Sequence, residues 1–186
     1  ILEDCKYGSD KPNDNTLRLT LLYTPGIHLP QWQWTMYQST QDWGIHDVKY
    51  AVYGHEGDWR KGESAWQAQF FNQPLMAFES NKHEGELGNS FSMISISRPE
   101  VGLMAFKKME SGEGYIIRVN ELSGKDIKNA KITLPREVLE AYEVNGQEKR
   151  IGDVKFTKDG IQFDLSHYTI KSFAVKLKKG NEAVVT

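Results

Sequence analysis

The second half of the chain consists of short segments in which apolar and polar residues alternate. The segment from Tyr115 to Val119 carries apolar side chains at every second position, and the segment from Ser172 to Leu177 repeats the pattern. Alternation of this kind places the apolar side chains on one face of a β-strand that is half buried. A chain with several such segments must pair them into sheets and cover the shared apolar face. The pattern therefore predicts a β architecture.

Turn residues separate these segments at short intervals. Asp159-Gly160 lies between two predicted strands, and Asn145-Gly146 follows a third. Both dipeptides favour tight hairpins because they tolerate left-handed backbone. Glu110 to Gly114 forms a looser predicted connection. Together the signals predict about seven short antiparallel strands between residues 91 and 177, a number typical of a small β-sandwich.

The first half of the chain has a different pattern. Leu17 to Tyr23 is predicted to be a strand with one buried face, and Val48 to Val52 a second strand. Asp58 is a candidate cap for one short helix near residues 61–72, which Pro74 would end. Residues 80–90 are rich in Gly, Asn, Glu and Lys and have the composition of a linker. We expect a front region, residues 1–90, and a sandwich, residues 91–186.

The composition of the chain argues against two classes of partner, nucleic acids and membranes. The 186 residues contain 23 Lys and Arg against 25 Asp and Glu, a formal charge of -2, so no basic field favours nucleic acid as a partner. With a mean hydropathy of -0.57 and no long apolar run, no membrane partner is expected. The sequence starts at Ile1 rather than Met, which predicts a piece of a longer protein.

Known catalytic patterns are missing from the sequence. The five histidines do not follow zinc-binding spacings, and neither a nucleophile elbow nor a phosphate-binding glycine loop occurs. No catalytic residue and no metal site are therefore expected in this chain. The single cysteine, Cys5, has Lys6 beside it, which could lower its pKa. A small structural role is the main expectation for this thiol.

All five tryptophans fall between residues 32 and 66. Trp32, Trp34 and Trp43 lie in a stretch without periodicity, residues 24–46, which is predicted to be a long ordered loop. Glutamine and aspartate side chains alternate with these indoles, a mixture suited to the apolar faces and hydroxyls of sugars. Packing of the loop on a neighbouring domain explains the same residues. Both interpretations remain open.

Eight blocks of the sequence are informative as an ordered set. The blocks are Asp4 to Gly8, Leu17 to Leu22, Asp42 to His46, Lys49 to Arg60, Phe71 to Leu75, Leu103 to Lys108, Ile117 to Glu121 and Glu140 to Asn145. In this order they resemble the C-terminal region of glycoside hydrolase family 38 α-mannosidases. The resemblance covers nearly the whole chain, although Gly54 and Val119-Asn120 depart from the family pattern.

The resemblance implies the end of a β-supersandwich followed by a small C-terminal sandwich. It also implies a parent enzyme that hydrolyses terminal α-mannosidic bonds with retention, using an aspartate nucleophile and a zinc ion held by an N-terminal catalytic barrel. That barrel and a mannose-containing oligosaccharide are the implied partners, and the parent could form a homo-oligomer. Residues expected to rim the cleft or contact sugar are Asp4, Tyr7, Trp32, Trp34, Trp43, His55, Asp58 and Arg60.

Two other functions compete with this interpretation. A free-standing carbohydrate-binding module would use Trp32, Trp34 and Trp43 as an exposed platform. A structural or oligomerising sandwich would bury the same indoles in its own fold or against a partner.

Overall fold

The computed structural model describes residues 1–24, 41–85, 87–110 and 112–179. The chain divides into two compact units, Ile1–Ser80 and Asn81–Thr186. Secondary structure is nearly all antiparallel strand with one short helix, which confirms the predicted fold class. The assignment of residues 1–90 to a supersandwich stays a prediction.

The first unit contains two separate pairs of short strands. In chain order its elements are β1 (Leu2–Glu3), β2 (Ser9–Asn13), β3 (Thr16–Leu19), β4 (Tyr50–Ala51) and α1 (Ser64–Asn72). The antiparallel pairs are β1 with β4 and β2 with β3. The strand predicted at residues 17–23 ends at Leu19 in the structure, and the strand predicted at residues 48–52 is only two residues long.

The first unit has no apolar core among its described residues. Gly62 is the one buried residue within residues 1–24 and 41–80. Leu17, Leu21 and Tyr23 are all exposed, so the prediction that they form a buried face is wrong for this chain. The physical reason is that two-stranded ladders offer no second layer against which such a face could pack.

The helix begins later than predicted. Glu63 has left-handed backbone, with φ 51°, at the N-cap of α1. That conformation separates the turn after Asp58 from the helix, which starts at Ser64 rather than near residue 61. At the other end Gln73 caps the helix by donating its backbone N–H to the Gln69 carbonyl (2.7 Å), directly before Pro74.

The second unit is a β-sandwich. Its strands are β5 (Ser95–Ile96), β6 (Val101–Lys108), β7 (Tyr115–Glu121), β8 (Ile127–Thr133), β9 (Val138–Val144), β10 (Arg150–Asp153), β11 (Lys155–Thr157), β12 (Gly160–Leu165) and β13 (Ile170–Leu177). One sheet has the order β10-β9-β13-β7-β6 and the other the order β11-β12-β8-β5, with antiparallel pairing throughout.

The core of the sandwich lies between its two sheets. Inward side chains of β7 and β13, such as Ile117 and Phe173, meet those of β8 and β12, such as Ile132 and Phe163. The rings of Phe163 and Phe173 are 4.7 Å apart between centroids. Burial of these apolar side chains is the main favourable contribution to folding of this unit.

The hairpin between β11 and β12 shows why its glycine is needed. The φ of Gly160 is 158°, a positive value as predicted for the glycine of Asp-Gly. A Cβ at Gly160 would lie 1.9 Å from the carbonyl oxygen of Ile132 on β8. The glycine therefore permits close approach of two strands.

In the described part of the chain, every helix is too short or too polar to cross a bilayer.

Candidate functional site

A compact turn, Tyr53–Ser64, follows β4 in the first unit; we call it the aromatic turn. The Tyr53 hydroxyl donates a hydrogen bond to the Gly62 carbonyl (3.0 Å), and the Gly62 N–H donates to the Asp58 carbonyl (3.0 Å). The rings of Tyr53 and His55 lie 5.4 Å apart between centroids. These contacts fold the turn back onto its own first residues.

His55 rests directly on the backbone of Gly62. A Cβ at Gly62 would come within 2.3 Å of the imidazole ring, so a larger residue here would displace the His55 side chain. The His55 Nε2 also lies 3.4 Å from the Ser64 hydroxyl oxygen. The imidazole is thus held at the surface by contacts on two sides.

Asp58 organises the opposite side of the aromatic turn. Its Oδ1 accepts hydrogen bonds from the backbone N–H groups of Arg60 (3.1 Å) and Lys61 (3.0 Å). Its Oδ2 lies 3.4 Å from the Arg60 guanidinium. That guanidinium stacks over the Trp59 ring at 4.3 Å from the centroid, a cation–π arrangement that positions both side chains.

The electrostatics of Asp58 favour its charged form. The Lys61 backbone N–H is the main cause of a lowered pKa, which the Arg60 contacts reinforce against a smaller opposing effect of burial. The aromatic turn therefore presents a carboxylate, a guanidinium, an imidazole and an indole together. Such a set can offer donors, acceptors and an apolar ring face to a sugar.

Asp4 and Tyr7 lie beyond the C-terminal end of β1. The Asp4 N–H donates to the Lys49 carbonyl (3.2 Å), and Tyr7 is exposed. The Cys5 thiol donates to the Asp4 carboxylate (3.1 Å), and this hydrogen bond raises the pKa of the thiol. The expectation that Lys6 could lower that pKa is therefore wrong, because the neighbouring carboxylate dominates.

The register of β1 and β4 separates the two groups of candidate residues. Leu2 pairs with Ala51 and Glu3 with Tyr50, so residues 4–8 extend from one end of the ladder and residues 53–64 from the other. Trp43 is 74% exposed and adds a third location. Trp32 and Trp34 lie outside the described residues.

Among the described residues, no three His, Cys, Asp or Glu side chains converge as metal ligands.

A buried carboxylate in the sandwich was not singled out from the sequence. Glu121, 3% exposed, ends β7. Its Oε1 accepts from the Ser123 N–H (2.6 Å) and hydroxyl (2.5 Å), and its Oε2 accepts from the N–H groups of Gly124 (2.8 Å) and Tyr168 (3.0 Å). Burial by itself would raise the pKa of Glu121, but these hydrogen bonds outweigh it and the pKa is lowered.

One end of the sandwich holds an open groove of about 940 Å³, which we call the basic groove. The segment before β5 forms one wall, and the ends of β6 and β13 form another. Among the described residues, five cationic side chains and one carboxylate, Glu113, line the groove. The cationic residues are Lys108, Arg136, Lys176, Lys178 and Lys179.

Comparison with known proteins connects the sandwich to one family. A sequence model described as "Glycosyl hydrolases family 38 C-terminal beta sandwich domain" matches residues 100–173, which run from the start of β6 into β13. The sandwich is therefore similar in sequence to the C-terminal β-sandwich domain of glycosyl hydrolase family 38. The resemblance noted in the sequence is thereby confirmed.

Two curated proteins that are similar to this chain carry the same name. Alpha-mannosidase 2C1 of Homo sapiens is 28% identical over 130 residues, covering 68% of this chain and 11% of the relative. Alpha-mannosidase 2C1 of Mus musculus is 23% identical over 182 residues, covering 96% of this chain and 16% of the relative. The chain thus spans less than a fifth of the length of these relatives.

Proposed function

We propose that this chain is the non-catalytic C-terminal β region of a retaining, zinc-dependent α-mannosidase that acts on terminal α-mannosidic bonds in oligosaccharides. The observation that carries the proposal is the family 38 match over the sandwich. The relatives are named alpha-mannosidases and are several times longer than this chain. The chain would then support and partly rim a site built mainly by other residues.

The exposed apolar side chains of the first unit support this assignment. Tyr50, Val52 and Phe78 are exposed on a unit whose described residues bury no apolar side chain. Isolated surface hydrophobics are ordinary, but a unit that buries none lacks the driving force to fold by itself. In our proposal these side chains contact the catalytic barrel of the same longer chain.

The aspartate nucleophile and the zinc ion belong, in this proposal, to that barrel. This chain would contribute side chains that bind and orient the substrate. The aromatic turn is suited to that task because Asp58 fixes the Arg60 guanidinium while the Trp59 ring stays 37% exposed.

The rim role is tested by substitution in the longer enzyme. We expect His55→Ala and Asp58→Ala each to lower kcat/KM for a mannoside about tenfold, equivalent to one lost hydrogen bond to substrate. Asp14→Ala is the matched control, because Asp14 is an exposed carboxylate in the β2–β3 turn. The purified 186-residue chain should release no mannose under the same conditions.

Unchanged turnover with unchanged thermal unfolding in both variants would rule out a rim position for the aromatic turn. Zinc-dependent mannose release by the 186-residue chain alone would overturn the non-catalytic assignment.

A further inference from the structure

The basic groove combines an apolar floor with a cationic border. Its apolar lining includes Leu87, Phe91, Met93 and Leu139, each about half exposed. An exposed apolar surface of this kind, bordered by charges, is typical of a site that binds a partner. Its volume of about 940 Å³ can accept several large side chains.

The charge of the border is only partly neutralised within the sandwich. Lys179 pairs with Glu113 (3.2 Å) and Lys178 with Glu137 (3.3 Å). Within the described residues, Lys108, Arg136 and Lys176 form no ion pair. A ligand that brings carboxylates would complement these three cations.

The three cations without ion pairs come from different elements. Lys108 ends β6, Arg136 lies in the β8–β9 connection, and Lys176 is near the end of β13. Cations distributed in this way match several carboxylates spaced along a chain better than one compact headgroup. Apolar anchors between acidic residues would fit the floor that the cations surround.

We propose that the basic groove binds an acidic segment of a separate polypeptide, with large apolar side chains placed between its carboxylates. This binding is independent of the sugar chemistry proposed for the aromatic turn, because every described residue that lines the groove belongs to the second unit. The interaction would allow the sandwich to recruit or anchor another protein.

The test uses the 186-residue chain and a fluorescein-labelled peptide that alternates Glu with Leu and Phe. Fluorescence polarisation should show saturable binding, which weakens between about 0.1 M and about 1 M salt as the Debye length falls from about 10 Å to about 3 Å. A peptide with Gln in place of Glu should bind roughly tenfold more weakly.

Paired charge reversals locate the binding site. K108E with R136E should weaken binding of the acidic peptide roughly tenfold or more. K125E with K131E makes the same change in net charge at exposed lysines outside the groove and should leave binding nearly unchanged. Leu139→Ser removes an apolar contact without adding charge and should also weaken binding.

Several results would overturn the proposal. These are an absence of saturable binding, equal affinity for the Gln peptide, or equal losses in the two charge-reversed variants. Binding of oleate or of anionic phosphatidylserine vesicles in preference to the peptide would assign the groove to an amphiphile instead. Binding to the 186-residue chain but not to the longer enzyme would mean that the enzyme's own chain covers the groove.

Discussion

Both units contain antiparallel strand pairs, but they differ in how many apolar side chains those strands bury. In the second unit, two sheets enclose a core in which Ile117 and Phe173 are completely buried. In the first unit, two-stranded ladders leave Leu17 and Val52 exposed, and the described residues bury no apolar side chain. The difference teaches that strand pairing alone does not stabilise a unit, because stability requires a second layer that removes apolar surface from water.

The largest expected contrast between the units is in amide hydrogen exchange. Amides of β7 and β13 should exchange only through global opening, whereas those of β1 and β4 should exchange through local fraying. For a sandwich of ordinary stability the protection factors should differ at least about a thousandfold. Hydrogen–deuterium exchange, followed by mass spectrometry of peptic fragments, measures the protection factors of both units. Equal protection in the two units would contradict the contrast.

A substitution in the sandwich core should have the next largest effect. Phe173→Ala removes a fully buried ring that packs on Phe163, and we expect a loss of about 3–5 kcal/mol in the free energy of unfolding. In the 186-residue chain Phe78→Ala is the control, since Phe78 is 86% exposed in the first unit there, and its effect should stay within about 0.5 kcal/mol. Urea unfolding followed by far-UV circular dichroism measures both values.

Tryptophan fluorescence is unsuitable for that measurement, because all five tryptophans lie between residues 32 and 66. Similar losses from the two Phe→Ala changes would show that the first unit also has a core.

A smaller effect is expected at Glu121. Glu121→Gln keeps the shape of the side chain but points an amide NH₂ at backbone N–H donors in either orientation, at that of Ser123 or at those of Gly124 and Tyr168. We expect a loss of about 2 kcal/mol at neutral pH, the usual contribution of hydrogen bonds to a charged group. Urea midpoints of the wild type and the variant provide the measurement.

The effect of Glu121→Gln on stability should depend on pH. The pKa of Glu121 is lowered in the folded sandwich, so its contribution is fully present above the unfolded pKa of about 4.3 and is lost as the pH falls through the lower folded value. The stability difference between wild type and Glu121→Gln should therefore shrink on acidification below about pH 4. A difference that persists unchanged would assign the effect to packing rather than charge.

The sandwich could be predicted from sequence because its strands are half buried. Residues 115–119, which alternate between apolar and polar, lie in β7, and residues 172–177, which show the same alternation, lie in β13. The same alternation at Leu17 to Tyr23 led to the wrong expectation of a buried face. Periodicity identifies the face that is apolar, but it carries no information about whether the chain supplies the layer that covers it.

The candidate site was predictable only in part. Polar and aromatic residues after a strand indicated the aromatic turn, but the contact between His55 and Gly62 depends on a fold-back that no local pattern encodes. The basic groove escaped prediction because its walls come from segments far apart in sequence. Glu121 offered a weak local signal, since a carboxylate followed by Ser123 and Gly124 can accept their N–H groups.

The hydrogen bonds of Glu121 also constrain how the sandwich can vary. They join the β7–β8 connection to the β12–β13 connection, and Asp126 adds a second link by accepting from the His167 N–H (2.9 Å). Gly124 has left-handed backbone, with φ 72°, and a Cβ there would require the Tyr168 ring to move. An insertion in either connection would break both links at once. Related domains that retain this carboxylate should therefore keep the lengths of these two loops fixed together, and accommodate insertions at other turns.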